Sequence, residues 1–476
     1  MATVRKVSSS PASAIGPRRF PSTGFELIDP TTKFEEETLP FYRKEEYYPM
    51  QIGQVIHGYY QIVSKLGFGT TSTVWLARDL RDQSFWAVKV HINTLNHNQE
   101  LEIYRYLANT PHDREFTKAK EYIRRLKESF RLKGPHGDHD VFVMTPLALS
   151  LSHFLGARRG QPFHSDFVKR ALSQILYGLV YLHDMNVVHT DLHLDNLLIS
   201  IKENSIMAGV EEAELHRPSP RKQSDDRTIH TSRMMMGGGG PLIICDLGHA
   251  RIGEKHRGFA MPAQYRAPEV ILDMEWGNPI DLWSVGLIAW DLLEKESLFR
   301  IYNNESQEQN DAHHLAAMTA LLGPPPPEFL TRSEKTAKFW HEDGQWKGPV
   351  PLPPETSFEA LASALTGEEK ETFVSLMDCF LYWLPEERGD AMHMFFHPFP
   401  TTIHSPLDPL AGWALPHTPW ITPSVSLYAA LAHATFTNLR AMTGATETTG
   451  HETSSAAVLP SVPDFEMLKT EDVDSS

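Results

Sequence analysis

The stretch His189-Thr190-Asp191-Leu192-His193-Leu194-Asp195-Asn196 lies between two apolar segments, Val187-Val188 and Leu197-Leu198-Ile199. Short apolar runs of this kind are typical of buried strands, so the octet between them is predicted to be a loop. Either Asp191 or Asn196 taken alone is a common turn or helix-cap residue. The complete octet with both apolar flanks is rarely accidental, and it therefore decides how the rest of the chain is interpreted.

A carboxylate five residues before an amide in such a loop matches the catalytic loop of phosphotransferases. In that arrangement Asp191 would orient the attacking hydroxyl and accept its proton, and Asn196 would be a ligand of Mg²⁺. Asp246 is the second predicted metal ligand, because it stands between the apolar run Leu242-Ile243-Ile244-Cys245 and a glycine turn at Gly248. From there its carboxylate is placed to hold the metal that bridges the β- and γ-phosphates.

A glycine-rich segment precedes these residues and runs from Gly67 to Val74. Glycines between two strands let the backbone approach a polyphosphate and offer it N–H donors. Such a turn alone is more often only a hairpin turn. Here Ala87-Val88-Lys89-Val90 follows, and it puts Lys89 in a strand from which its cation is placed to reach the α- and β-phosphates. The two segments together predict a nucleotide site.

The helix predicted at residues 98–108 carries two carboxylates that are candidates to hold Lys89 by an ion pair, Glu100 and Glu102. Glu102 is preferred because Glu102-Ile103 precedes the apolar positions Tyr106 and Leu107.

The chain as a whole changes from strand patterns to helical patterns. Strands are predicted at residues 59–66, 74–77, 85–91 and 142–144, and from residue 165 onward apolar residues recur with the helical period. We therefore predict an α+β fold with two lobes. A small β-rich N-terminal lobe with one main helix would span residues 47–147, and a larger helical C-terminal lobe would span residues 148–400.

Three polar stretches lie outside this pattern. Residues 1–46 and 401–476 are predicted to be mostly disordered tails, apart from a short helix at 427–442. The basic, serine-rich start of the first tail is interpreted as disorder rather than as a mitochondrial transit peptide. Residues 201–241 include Arg217-Pro218-Ser219-Pro220-Arg221 and four consecutive glycines. They are predicted to be a flexible insertion, because they carry too little apolar surface to offset the chain entropy lost on folding.

Composition narrows the classes of function. Two cysteines among 476 residues argue against a disulfide framework or a cysteine metal site and fit a reducing compartment, so we expect a cytoplasmic and/or nuclear protein. A net charge of −16 disfavours direct binding of nucleic acid or of an anionic membrane, and it suits a basic substrate. No apolar run approaches the ~18 residues that cross a bilayer. We expect a monomer that acts on a protein substrate.

In their order, these motifs resemble those of the protein kinase family over roughly residues 55–400. The finer resemblance is to the SR protein kinases and their fungal relatives. It is carried by the segments Tyr47-Tyr48-Pro49, Tyr60-Gln61-Ile62-Val63-Ser64-Lys65-Leu66-Gly67, Ser72-Thr73-Val74-Trp75-Leu76-Ala77, His189-Thr190-Asp191, Asp246-Leu247-Gly248 and Gln264-Tyr265-Arg266. Thr190 in place of the usual arginine and Leu247 in place of the usual phenylalanine are hallmarks of this subgroup.

The resemblance implies a serine/threonine protein kinase that uses ATP and Mg²⁺ and phosphorylates serines in Arg/Ser-rich splicing factors, and so a role in the regulation of mRNA splicing. It implies that the catalytic residues are Asp191, Lys89, Glu102 and His193, and that the metal ligands are Asn196 and Asp246. It also implies contacts to ATP from Leu66, Gly67, Phe68, Gly69, Thr70, Ser72, Val74, Ala87, Lys89, Met144, Thr145 and Leu147.

The resemblance also assigns structural roles. Glu269 and Arg388 would form a buried ion pair, and Asp281 would brace the backbone of the catalytic loop. The arginine usual at position 190 clamps a phosphorylated activation segment. Since a threonine cannot do so, we expect activity without prior phosphorylation.

Three features depart from the usual pattern of the family. His193 replaces a lysine that offers positive charge to the transferring phosphoryl group, and a histidine with an ordinary pKa of ~6.5 is mostly neutral at pH 7. Pro262 replaces a threonine that bonds to the catalytic aspartate and lysine, and proline has neither hydroxyl nor N–H. His313 and Ala320 replace acidic side chains of the groove that docks Arg/Ser-rich substrates.

Two other functions stay open from the sequence. The first is a pseudokinase that binds nucleotide or a partner without efficient catalysis, and the joint presence of Lys89, Asp191, Asn196 and Asp246 argues against it. The second is a small-molecule kinase, since such enzymes share the pattern H-x-D-x-H-x-x-N around His193. The protein-kinase motifs farther along the chain argue against this second reading.

Overall fold

Six antiparallel strands and one helix form the N-terminal lobe. The structure is a computed structural model, and it describes residues 16–111, 118–224, 226–302 and 306–401. The elements of this lobe are β1 (Val55–Ile56), β2 (Tyr60–Gly69), β3 (Ser72–Asp79), β4 (Phe85–His91), α1 (Gln99–Asn109), β5 (Leu126–Lys133) and β6 (Asp138–Met144), with the strands in the order β1-β2-β3-β4-β6-β5. The predicted strands and helix are confirmed. β5, whose residues alternate between half-buried and exposed, was not predicted.

The two faces of this sheet have different neighbours because successive side chains of a strand point to opposite sides. One face buries Trp75, Val88 and Val141 in a core of its own. The opposite face carries Lys89 and Phe142, which are directly opposed in register on β4 and β6. Phe142 belongs to the core shared with the C-terminal lobe, so this second face is the one turned toward that lobe.

Helices dominate the C-terminal lobe, as predicted. After β7 (Leu147–Ser150) come α2 (Leu151–Ala157), α3 (Ser165–Asp184), β8 (Val187–Val188), β9 (Leu197–Ile201), α4 (Asn204–His216), β10 (Arg221–Gln223), β11 (Thr228–His230), β12 (Gly239–Ile244) and β13 (Arg251–Ile252). The remaining helices are α5 (Pro268–Ile271), α6 (Pro279–Leu293), α7 (Gln307–Leu322), α8 (Pro327–Leu330), α9 (Phe358–Leu361), α10 (Gly367–Phe380), α11 (Ala391–Phe395) and α12 (Pro398–Thr401). The fold is thus the predicted α+β architecture.

Two long helices make the centre of this lobe. α3 buries Leu172, Ile175 and Leu179, which follow one another at helical spacing. α6 is apolar over most of its surface, and residues Ile280 to Leu293 are all buried. A helix that is apolar over so much of its surface must lie inside the protein, and α6 packs against both α3 and α10.

Two pairs of short strands bring together segments that are far apart in the sequence. β9 pairs antiparallel with β12, with Leu197 opposite Ile244, and β8 pairs with β13, with Val188 opposite Arg251. The loop of residues 189–196 connects β8 to β9, and the segment of residues 245–250 connects β12 to β13. The two segments therefore lie side by side although residues 201–241 separate them in the chain.

The prediction that residues 201–241 are a flexible insertion is wrong. They form α4 and the β10–β11 hairpin, and Met207 and Val210 of α4 pack against Val63 and Leu76 of the sheet. The buried carboxylate of Glu214 accepts hydrogen bonds from neighbouring donors, among them Ser219, Arg221 and Arg233. The composition argument failed because the lobe itself supplies the apolar surface, while ion pairs satisfy the charged groups.

The predicted disordered tail also needs correction for residues 16–46. A single 3-10 turn, Glu35–Thr38, carries Glu35 and Glu36 onto the buried Lys65 of β2, with Glu35 3.2 Å from its Nζ. Ser232 of the insertion donates to Glu35 through both its N–H and its hydroxyl. The sequence could not reveal this packing, because the partners of the acidic cluster lie 29 to 197 residues away along the chain.

The remaining predictions about the termini lie outside the described residues. They concern residues 1–15 and residues 402–476, which include the helix predicted at 427–442. Within the part of the chain that the structure describes, no helix is both long and apolar enough to cross a membrane.

The predicted ion pair between Glu269 and Arg388 is confirmed. Two guanidinium nitrogens of Arg388 donate to the two carboxylate oxygens of Glu269 at 2.6 and 2.8 Å, and both side chains are fully buried. The same guanidinium donates to the carbonyl oxygens of Tyr382 and Pro279. It therefore links α5, the start of α6 and the segment that precedes α11.

Because of this burial, we expect Arg388→Ala to lower the free energy of unfolding by about 3–5 kcal/mol, since it leaves the Glu269 charge inside the protein without a partner. Arg332→Ala is the matched control. Arg332 pairs with Glu328 and Glu386 at the surface, where such pairs contribute about 0–1 kcal/mol. Urea unfolding followed by circular dichroism measures both variants. Equal midpoints for the two variants would contradict the structural role of the buried pair.

Candidate active site

Lys89 stands in the middle of β4 and points toward the cleft between the lobes. Its Nζ lies 2.7 Å from Glu100 Oε2 and 3.5 Å from Asp246 Oδ1. Burial opposes the ammonium charge, but the two carboxylates outweigh it and raise the pKa of Lys89 above its ordinary value. Burial also disfavours the charged form of Glu100, but Lys89 and His91 outweigh this effect and lower the pKa of Glu100 to about 2. Both members of the pair are therefore charged at neutral pH.

The sequence prediction that Glu102 pairs with Lys89 is wrong. The Glu102 side chain is 53% exposed and lies 3.1 Å from His97. The reason is the phase of α1, whose buried positions are Glu100, Ile103 and Tyr104, at i, i+3 and i+4. Two residues further along a helix, a side chain points to the other side. Glu100 lies three and four residues before the buried Ile103 and Tyr104, so it shares their side of the helix. This spacing, rather than the position of Tyr106, was the signal that identifies Glu100.

The strand register gathers several of the predicted ATP contacts onto one face of the sheet. Val74 lies opposite Lys89 across β3 and β4 and opposite Gly67 across β2 and β3, while Ala87 lies opposite Met144. Directly opposed residues point to the same face. The remaining predicted contacts lie at the borders of this face: Leu66, Phe68 and Thr70 along β2 and its turn, Ser72 at the start of β3, and Thr145 and Leu147 after β6.

The glycines of the β2–β3 hairpin fit a bound polyphosphate. A Cβ atom built on Gly67 or Gly69 would meet no protein atom within 4 Å, so packing inside the protein does not require glycine at either position. Close approach of a ligand to the backbone explains both residues. The Tyr47 hydroxyl donates to the carbonyl oxygens of Gly69 and Thr70 at 3.0 and 2.8 Å, which ties this turn to the N-terminal segment.

The catalytic loop is held by its backbone, as predicted for Asp281. The two oxygens of Asp281 accept the N–H groups of His189 and Thr190 at 2.8 and 2.9 Å. Thr190 has a φ of +68°, an unfavourable value for a residue with a branched side chain. Its hydroxyl donates to the carbonyl oxygen of His249 at 2.8 Å. Asp281 thus fixes a strained loop, and the loop in turn holds the segment that follows Asp246.

Asp191 and Asn196 are joined directly. The Asn196 amide nitrogen lies 2.9 Å from the Asp191 carbonyl oxygen and 3.1 Å from Oδ2 of its carboxylate. Burial would raise the pKa of Asp191, but His193 and His249 more than offset this effect and hold it below its ordinary value. The carboxylate is therefore ionised at neutral pH and available to accept a proton.

His193 differs from its predicted state. Its ring lies between two carboxylates, with Nε2 3.7 Å from Asp191 Oδ2 and Nδ1 3.5 Å from Asp195 Oδ2. Burial opposes the charged ring, yet the two carboxylates raise the pKa of His193 to about 10. The Asn196 amide nitrogen lies 3.0 Å from Nε2, a contact that suits only the neutral ring, but the two acidic neighbours favour the cation. The sequence prediction of a mostly neutral histidine at pH 7 is therefore corrected.

Asp246 and Asn196 both carry oxygen atoms that can bind a cation, and Asp246 Oδ1 lies 3.5 Å from Lys89 Nζ. Asp246 has a φ of +61°, and the N–H of Gly248 donates to its Oδ1 at 3.2 Å. Asn196 uses its amide nitrogen for Asp191, which leaves its amide oxygen for a cation. No cluster of three or more His, Cys, Asp or Glu side chains able to hold a metal exists among the described residues. Two oxygen ligands fit Mg²⁺, which keeps several waters and binds through substrate phosphates.

His249 was missed by the sequence prediction. It follows Asp246-Leu247-Gly248 directly, and its Nδ1 lies 3.5 Å from Asp191 Oδ2. Its distance along the chain from Asp191 hid this contact, and only its position next to a predicted metal-binding turn could have drawn attention to it.

Two other departures noted in the sequence have structural counterparts. Pro262 cannot bond to the catalytic loop, but the N–H of the neighbouring Met261 donates to the Thr190 carbonyl oxygen at 2.9 Å. On α7, the His313 ring stacks on Tyr302 with centroids 4.2 Å apart. Through Met261, the segment that contains Pro262 therefore still contacts the catalytic loop.

Comparisons with known proteins agree with this geometry. The family model described as protein kinase domain matches residues 60–400. A serine/threonine protein kinase of Aspergillus fumigatus is 36% identical over 393 residues, which cover 81% of this chain and 96% of that protein.

Two more distant relatives point the same way. The serine/threonine-protein kinase SRPK of Physarum polycephalum is 29% identical over 77% of this chain and 91% of its own length. The serine/threonine-protein kinase AFC1 of Arabidopsis thaliana is 27% identical over 75% of this chain and 74% of its own length. These matches confirm the resemblance to the SR protein kinases, and the chain therefore belongs to the protein kinase family, among its serine/threonine kinases.

Proposed function

We propose that the chain transfers the γ-phosphate of ATP to serine and threonine hydroxyls of proteins, with serines of Arg/Ser-rich splicing factors among its substrates. The observation that carries this proposal is the complete ionic chain Glu100–Lys89–Asp246 beside the Asp191–Asn196 pair. A protein that only binds partners does not need both metal ligands and a paired lysine. This argues against the pseudokinase alternative.

The residues divide the chemistry between them. When bound, ATP supplies the phosphoryl group and Mg²⁺ offsets its negative charge. Lys89, fixed by Glu100, binds phosphate oxygens, and Asn196 and Asp246 hold the cation. Asp191 would orient the substrate hydroxyl and accept its proton as the new O–P bond forms, while the bond from the γ-phosphorus to the β–γ bridging oxygen breaks and ADP leaves. The charged ring of His193 takes the place of the usual lysine.

Activity without prior phosphorylation is part of the proposal. A phosphorylated segment usually needs an arginine next to the catalytic aspartate, and Thr190 occupies that position here. The Thr190 hydroxyl already holds the His249 carbonyl oxygen, and the Met261 N–H holds the Thr190 carbonyl oxygen. These bonds support a segment that is ordered without an added phosphate.

The preference for Arg/Ser-rich proteins rests on the net charge of −16 and on the resemblance to SR protein kinases. On α7 the Asp311 carboxylate lies 3.5 Å from the buried Arg266, so part of the negative charge of that helix is already compensated. The acidic docking groove expected for this subgroup is therefore weaker here, and the substrate preference has to be measured.

The first experiment measures Mg²⁺-dependent transfer from γ-labelled ATP to a panel of Arg/Ser-rich and generic basic peptides, with and without phosphatase treatment of the enzyme. We expect transfer by the wild type, before and after the treatment, and a loss of at least ~100-fold in kcat for Asp191→Asn with Mg·ADP affinity nearly unchanged. Asp246→Ala should abolish the Mg²⁺-dependent transfer. Nucleotide binding without transfer to any peptide would refute the proposed activity.

A second experiment compares the two carboxylates of α1. Glu100→Gln removes the charge that holds Lys89, so we expect kcat/KM for ATP to fall at least tenfold, whereas Glu102→Gln should stay within about twofold of the wild type. Steady-state kinetics at saturating peptide measure both variants. Equal losses would show that the Lys89–Glu100 pair has no special role.

A third experiment concerns the unusual histidine. Because the His193 ring is held as a cation between two carboxylates, His193→Lys should keep kcat equal to or above the wild-type value, while His193→Ala should lower it at least tenfold. Rates at pH 7 with saturating ATP and peptide separate the two variants. A collapse of the rate in the lysine variant would mean that the imidazole has a role beyond its charge.

A further inference from the structure

The two oxygens of the Asp191 carboxylate have different surroundings. Oδ2 lies 3.1 Å from the Asn196 amide nitrogen, 3.7 Å from His193 Nε2 and 3.5 Å from His249 Nδ1. Oδ1 is buried and has no hydrogen-bond partner in the described part of the chain. Nitrogen groups thus surround Oδ2, whereas the protein shields Oδ1 from solvent.

His249 is the outermost of these three groups. Its side chain is 61% exposed, while those of His193 and Asp191 are buried. Its backbone is fixed independently of its ring, because the carbonyl oxygen accepts bonds from the Thr190 hydroxyl and from Arg251. Removal of the imidazole therefore leaves the connection between the two segments in place.

The charges around the His249 ring favour a proton on it. The contact with Asp191 raises the pKa of His249, partial burial lowers it, Asp246 adds to the rise, and Arg251 opposes it. The protonated ring can donate from Nδ1 to Asp191 Oδ2. His249 is thus suited to restrain the carboxylate from the side open to solvent.

We propose that His249 is a positioning residue for phosphoryl transfer: its imidazole holds Oδ2 of Asp191 from the solvent side and so fixes the orientation of the carboxylate. The role of Asp191 in this inference rests on the proposed function. Asn196 fixes Oδ2 on the buried side and His249 fixes it on the exposed side, so the carboxylate cannot rotate about its Cβ–Cγ bond. Neither the family motif nor the spacing of the sequence assigns a role to this residue.

The kinetic test compares His249→Ala and His249→Asn with the wild type. We expect kcat to fall about tenfold to a hundredfold in His249→Ala, because small misplacements of a catalytic group cost rates of this size. KM for ATP, Mg·ADP affinity and Tm should stay near the wild-type values. In His249→Asn the amide nitrogen takes the place of Nδ1 and donates to Oδ2, so we expect most of the rate to return.

A matched control is His97→Ala. His97 is 59% exposed and also lies beside a carboxylate, that of Glu102, but away from the catalytic loop. We expect it to keep the wild-type kcat. A His249→Ala enzyme with wild-type kcat would overturn the inference. An equal loss of kcat in His249→Asn would also overturn it. So would a loss of kcat in His249→Ala that is accompanied by lower Mg·ADP affinity or a lower Tm.

A second measurement does not depend on activity. The Cε1 proton of His249, assigned as the NMR signal absent from His249→Ala, is titrated in the wild type and in Asp191→Asn. We expect a pKa above the ordinary value of ~6.5 in the wild type and a lower one in the variant. An unchanged pKa would show that the two side chains do not interact and would overturn the inference, even in an active enzyme. An inactive wild type with the expected titration would instead refute the proposed function.

Discussion

The active site depends on two short strand pairings, β9 with β12 and β8 with β13. Together they hold the loop of residues 189–196 against the segment of residues 245–250, so that Asp191, Asn196 and Asp246 lie close together. Cys245 donates its N–H to the Asn196 carbonyl oxygen at 2.8 Å, which sets the register at the point where the chemistry begins. Asp281 also fixes the loop, because its carboxylate accepts the N–H groups of His189 and Thr190. Antiparallel pairing tolerates an insertion of any length between its strands, and this explains how about forty residues can stand between them.

Several buried charges in the described part of this protein occur in compensated groups. Lys89 has Glu100, Lys65 has Glu35 and Glu36, and Arg388 has Glu269. Without a partner, each buried charge would bear the full free-energy cost of desolvation. Removal of one partner therefore destabilises the fold, because the other charge stays buried and unpaired. The same balance acts in the catalytic loop. There two carboxylates outweigh the burial of His193 and raise the pKa of its ring.

The N-terminal segment and the insertion both contact the β2–β3 hairpin. Arg233 of the insertion donates its N–H to the Lys65 carbonyl oxygen, and Glu35 and Glu36 pair with the Lys65 ammonium. Lys65 immediately precedes Leu66-Gly67 in β2, and the Tyr47 hydroxyl holds the far end of the same hairpin. The glycine-rich turn is thus anchored at both ends by residues that lie outside the core of the lobe.

Much of the fold and the site could be predicted from the sequence, because local patterns carry the information. Alternating and helical apolar spacing defined the strands, the main helix and the two lobes. The fixed spacing of Asp191 and Asn196, the glycine turn after Asp246, and Lys89 within a strand identified the chemistry. The pairing of Glu269 with Arg388 and the role of Asp281 followed from the family resemblance carried by these motifs.

The remaining features depended on contacts between residues distant in the chain. The choice of Glu100 over Glu102 depended on which side of α1 faces the sheet. The order of residues 16–46 and 201–241 depended on Lys65, Val63 and Leu76, which lie in other elements. The place of His249 beside Asp191 depended on strand pairing, and the pKa of His193 depended on the fold of a loop that turns the carboxylates of its near neighbours Asp191 and Asp195 toward its ring. A sequence determines which groups are present and how they repeat, but pKa values and ion pairs depend on distance and burial, and those are set only when the chain folds.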